Sequence, residues 1–191
     1  NSQIPYYQEL SKLLLNDSTF NPRFEIVDII PEGKGQGWQG VYLPTEYKIK
    51  LLKTRLGEES LLLHEAIHAR VHSSIAAALK PSSRGFEHVK PAVERLNELY
   101  HSFKEQSIAS DKWHEMISAY GVKNVQEFIT EGFTNPEFQS LMARTLVPKN
   151  LRRGNFTMYW DMFVDRIGKL LGFTQKHHNY LYHLDLHQYT D

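Results

Sequence analysis

Apolar residues recur at helical spacing over most of the chain and at strand spacing over a short region near its start. In residues 4–15, Leu10, Leu13, Leu14 and Leu15 stand among polar groups in a pattern that predicts a short amphipathic helix, closed by the turn-prone Asn16, Asp17 and Ser18. Residues 24–30 are rich in β-branched and aromatic side chains. A second extended stretch, 38–42, follows the glycine run 33–37, so two strands joined by a glycine loop are expected. Residues 47–52 alternate apolar with basic positions at period two, which predicts a strand with one face on the core and a cationic face in water. Helical periodicity then takes over. It covers 61–79, opened by Glu58, Glu59 and Ser60, and 86–103, where Pro91 bends the helix or delays its start. Further helices are predicted over 112–120, over 125–133 with Asn124 as cap, from Pro136 to 146, and over 157–171, stopped by Gly172. The expected fold is α+β, a small N-terminal twisted β-sheet packed on a mostly helical bundle. One domain is expected over 1–191, with a lead-in at 1–23, the sheet at 24–56, the helices of the candidate site at 57–146 and a helical cap at 147–191.

Composition narrows the function. A chain of 191 residues that is 41% hydrophobic and 23% charged has ordinary globular usage, which removes disordered and collagen-like readings. Lys plus Arg and Asp plus Glu are each 22, so no net field draws in nucleic acid or anionic lipid, and neither is expected as a direct partner. The absence of cysteine excludes disulfides, thiolate zinc sites and cysteine nucleophiles, leaving His, Asp and Glu as metal ligands. No run approaches ~18 apolar residues and no basic segment leads into an apolar core at the start, so neither a membrane span nor a signal peptide is expected. The glycine run lacks the Lys-Ser/Thr of a phosphate-binding loop. Because the first residue is Asn1, the chain is expected to have been cut from a longer polypeptide.

Ten histidines are more than ordinary usage provides, and two of them form a pattern. His64-Glu65-Ala66-Ile67-His68 is H-E-x-x-H on a predicted helix, where residues four apart share one face and can reach the same ion. Chance placement would produce the string with a probability of about 0.04, so its surroundings matter. Leu61, Leu62, Leu63, Ala66 and Ile67 make the flanks apolar. Two imidazoles and a carboxylate in such a helix are costly to bury unless a metal neutralises them.

The third ligand decides the class. A metzincin requires a glycine and a third histidine further along the helix, but Val71 and Ser74 occupy those positions. His72 lies two turns from His64, too far along the axis to join one coordination sphere, and is expected to face solvent or to support the site from behind. His88 and His114, on later segments, are alternatives. The segment 124–133 is the better one. Glu127 and Glu131 share a helix face while Val125, Phe128, Ile129 and Phe133 supply its apolar remainder, so one carboxylate can bind metal and the other can orient a ligand histidine.

With these motifs the chain resembles the gluzincin class of zinc metallopeptidases, the thermolysin-like enzymes. The resemblance implies a zincin-type active-site helix, one Zn2+ ion held by His64, His68 and Glu127, and Glu131 bracing a ligand histidine from behind. Phe133 matches an aromatic residue found two positions beyond the brace. Segments 40–44, 49–51, 61–68, 127–138 and 159–164 are also similar to metallopeptidase-like domains in large polyvalent proteins of phages and prophages.

The implied chemistry is hydrolysis of peptide bonds by a zinc-bound water, with Glu65 as general base and a protein or peptide as substrate. The resemblance also implies a substrate-pairing edge strand, expected at 47–52, where Lys48 and Lys50 either favour acidic substrates or protect the edge from aggregation. The tail 176–183 is crowded with groups that could stabilise an oxyanion, none of which can be assigned. Alternatives are a non-catalytic, zinc-stabilised virion or injected structural domain, and a zinc amidase or peptidase acting on peptidoglycan.

Overall fold

The computed structural model describes residues 4–16, 20–30, 39–78, 87–109, 120–152 and 154–171. It is α+β: among the described residues there are three strands in one sheet and six α-helices. The elements are α1 (Pro5–Leu15), β1 (Arg23–Val27), β2 (Gly40–Leu43), β3 (Lys48–Leu52), α2 (Glu59–Ala78), α3 (Lys90–Ala109), α4 (Val125–Thr134), α5 (Pro136–Arg144) and α6 (Tyr159–Leu171). The chain divides into two compact units, 1–73 and 74–191, with the division falling inside α2. No helix among the described residues is long and apolar enough to cross a membrane. The glycine run 33–37, Gly172, the tail 176–183 and, except for Tyr120, the helix expected over 112–120 lie outside the described residues.

In the first unit the strand order is β1-β3-β2, with β3 parallel to β1 and antiparallel to β2. The two strands flanking the glycine run are therefore not neighbours. The third strand lies between them, so the stretch 47–52 is not an edge strand. Both of its hydrogen-bonding sides are occupied, and no substrate can pair with it. Period-two alternation reports which faces are buried, not which edges are free, and β3 has Ile49 and Leu51 buried as expected. Its lysines are also less available than alternation suggested. Lys48 Nζ lies 2.9 Å from a Glu25 oxygen and 2.7 Å from a Glu46 oxygen, and Lys50 Nζ lies 3.6 Å from Glu25. The hydrogen bond from Lys48 holds both carboxyls below the usual range, and those partners hold Lys48 above its own.

Residues directly paired across strands share a face. Ile49 and Leu51 therefore mark one apolar side, shared with Tyr42 and Gly40 of β2 and with Phe24 and Ile26 of β1. The turn from β2 into β3 places Tyr47 at φ 48°, in the left-handed region that costs a non-glycine residue about 1 kcal/mol. Its ring meets Tyr42 edge-on at 6.2 Å.

The second unit is built around aromatic rings. Phe103 of α3 lies 5.7 Å from Phe128 of α4, 5.5 Å from Phe138 of α5 and 4.9 Å from Tyr159 of α6. Phe128 and Phe133 of α4 also meet Phe163 of α6 at 5.7 and 5.5 Å. Burial pushes the Tyr159 hydroxyl up to about 12, and it shares a 2.7 Å hydrogen bond with Ser102. Pro91 sits in the first turn of α3, so it delays that helix, which then runs to Ala109.

Gly132 lets α4 and α6 approach closely, since a Cβ there would lie 2.5–3.0 Å from three ring atoms of the fully buried Phe163. Gly132→Ala should destabilise the protein by about 1–3 kcal/mol in urea unfolding. The ion pairs of β3 carry a pH dependence. Glu25 and Glu46 have lowered values when folded, so their contribution is present above the unfolded carboxyl pKa and is lost as pH falls through the folded one. Lys48→Met should therefore flatten the decline in melting temperature between about pH 5 and pH 3.

Candidate metal centre

Helix α2 begins where Glu58 accepts the Leu62 N–H at 3.2 Å and pairs with Arg55 at 2.7 Å. Leu63, Ala66, Ile67, Ala69 and Val71 are buried, so the helix axis and its rotation are set by apolar packing. The rotation leaves His64 and His68 half-buried and Glu65 buried. The Nε2 atoms of the two histidines are 3.2 Å apart, their rings edge to face with centroids 4.9 Å apart. At that spacing one ring can donate a hydrogen bond to the other, or both can offer lone pairs to one cation. Two nitrogens each ~2.05 Å from a tetrahedral zinc would be separated by ~3.3 Å, so the pair matches the edge of such a shell.

The Glu65 Cγ lies 3.1 Å from where a Cβ on Gly40 would stand, beside the first residue of β2. Further along α2, the His72 ring meets Tyr42 edge-on at 5.7 Å. His72 is thus half-buried against the sheet rather than solvent-facing. His88 is exposed, and His114 lies outside the described residues.

Glu127 and Glu131 are both buried on α4. The cap expected at Asn124 is present, its side-chain oxygen accepting the backbone N–H groups of Gln126 and Glu127 at 2.9 Å each. The Glu127 carboxylate therefore lies in the first turn, where the helix dipole favours negative charge. Lys123 stands just before the cap. Its pKa is raised, chiefly by a 2.9 Å hydrogen bond with the Tyr120 hydroxyl and to a lesser degree by the charge of Glu127. One oxygen of Glu131 accepts from the side-chain amide of Asn135 at 2.7 Å. The Asn135 side-chain oxygen accepts from Phe138 N and so caps α5.

Among the described residues one group of three side chains could hold a metal ion, namely His64, His68 and Glu127, whose ligand atoms lie within 4.8 Å of one another. Two imidazoles and one carboxylate form a donor set that suits zinc and leaves a fourth position for water or substrate.

Neither Gly40 nor Asn135 stands out as a supporting residue from the motifs of the chain. Asn135 was detectable, because Asn-Pro after a helical stretch marks a boundary where asparagine caps the next helix. Gly40 was detectable only as a glycine on the core-facing register of a strand. Asn124→Ala should cost about 1 kcal/mol of stability in urea unfolding, and Asn124→Gly only a few tenths, because glycine tolerates the cap position. Comparison of the chain with protein-family models, with curated proteins and with solved structures gives no match.

Proposed function

We propose that the chain is a zinc-dependent metallopeptidase that hydrolyses peptide bonds, with His64, His68 and Glu127 holding one ion. The observation that carries this reading is the 3.2 Å spacing of the two half-buried Nε2 atoms on α2, which matches two ligands of one tetrahedral ion. When bound, zinc supplies Lewis acidity, polarising a carbonyl and lowering the pKa of a coordinated water from 15.7 toward ~7.

The remaining steps belong to side chains. Glu65, next in sequence to one ligand, accepts a proton on a carboxylate oxygen from the attacking water and returns it to the departing amine. Its burial keeps bulk water from competing for that oxygen. Glu131 is the candidate brace for a ligand histidine, with Asn135 holding one of its oxygens. Because both sides of β3 are taken, an extended substrate would need another strand, and β2 is the one beside Glu65. On the resemblance to metallopeptidase-like domains of large polyvalent phage and prophage proteins, the chain is, within the same proposal, a phage or prophage-encoded domain released from a larger polypeptide.

Glu65→Gln should retain one zinc per chain and lose peptide cleavage, whereas Glu127→Ala should lose zinc retention and Glu131→Ala should lose less of it. Metal analysis beside a casein and a cell-wall assay reads these outcomes. A fully active Glu65→Gln protein would defeat the mechanism, and wild-type zinc content in Glu127→Ala would move the third ligand elsewhere.

A further inference from the structure

We infer that Gly40 is a positioning residue for Glu65: the missing side chain at the start of β2 is the space that sets where the general base lies. This inference rests on the metallopeptidase reading for its catalytic consequence. A Cβ built on Gly40 would lie 3.0 Å from Leu51 Cδ2, 3.1 Å from Glu65 Cγ and 3.2 Å from Leu61 Cδ1. Three neighbours enclose it, one from β3 and two from successive turns of α2. The leucine contacts are methyl tips that can rotate aside. The Glu65 contact is a methylene in mid-chain, so moving it displaces the carboxylate beyond.

Backbone conformation does not explain the glycine. Among the described residues only Gly154 has a glycine φ in the positive region, so Gly40 is extended backbone that other residues adopt. A glycine within a strand weakens it and commonly marks the close approach of another group. The approaching groups here are the Leu51, Glu65 and Leu61 side chains, of which only Glu65 carries a titratable group. Register explains why it arrives there: Gly40 pairs with Leu51, and the shared face is the one that buries Ile49 and Leu51. The next β2 residue on that face, Tyr42, touches His72 of α2. β2 thus contacts α2 at two places, with its one glycine at the Glu65 side chain.

Proton transfer requires heavy atoms within about 2.6–3.2 Å, and a misplacement of ~1 Å can cost 10²-fold in rate. A shift of a few tenths of an ångström should therefore lower kcat about 10-fold while leaving substrate binding and the metal ligands in place.

The test is a double-mutant cycle with two readouts. In metal-free protein, melting temperatures are measured for wild type, Gly40→Ala, Glu65→Ala and the double variant. Gly40→Ala should lower the melting temperature by about 3 °C or more in wild type, and by clearly less once Glu65 is truncated. Equal losses in both backgrounds would overturn the contact. If Gly40→Ala alone does not fold, a folded double variant supports the inference and an unfolded one refutes it. In zinc-loaded protein, Gly40→Ala should keep one zinc per chain and a KM within about 2-fold, with kcat lowered about 10-fold. An unchanged kcat would remove the positioning role. A wild-type protein that cleaves no peptide would instead sink the metallopeptidase reading, while the metal-free cycle still reports whether Gly40 and Glu65 are packed together.

Discussion

Two imidazole nitrogens held 3.2 Å apart on one helix are the constraint from which the candidate site follows. One helical turn brings the rings onto the same face, and apolar packing of the flanking residues stops the helix from rotating them into open water. Once the pair is half-buried, a cation shared between the rings is a natural way to use both lone pairs. In the proposed function the carboxylate of Glu127 supplies the third donor.

That carboxylate gains its fixed place from features that have no chemistry of their own. Helix α4 is anchored by Phe128 and Phe133, whose rings interlock with Phe103, Phe138 and Phe163. Asn124 fixes where the helix begins, and Asn135 links its last turn to α5. Such an aromatic core tolerates little lateral movement, because close packing leaves no room for rings to shift independently. Two carboxylates four residues apart are consequently presented on a rigid rod.

Much of the fold and the site was legible in the chain itself, although unevenly. H-E-x-x-H needed only helical geometry, and Asn124 announced the start of α4 with a residue type whose side chain satisfies free N–H groups. The strands 24–30 and 38–42 were recognisable from β-branched and aromatic content, yet their order was not. Parallel pairing of β1 with β3 places the last strand in the centre, and nothing in the local pattern distinguishes a central strand with ion-paired lysines from an edge strand with protective ones. His72 shows the same limit, since only the position of Tyr42 decides whether that ring meets water or an aromatic edge.

By itself the sequence determined the helix bearing His64, Glu65 and His68, the pairing of Glu127 with Glu131 on one face, and the apolar stripes that bury each helix. These depend on spacing within a single element, where backbone geometry dictates which residues are neighbours. Tertiary structure alone decided the strand order, the ion pairs of Lys48 and Lys50, the use of Gly132 against Phe163 and the space at Gly40 beside Glu65. Those are contacts between residues far apart in the chain, and their distances depend on how whole elements pack, which no local periodicity encodes.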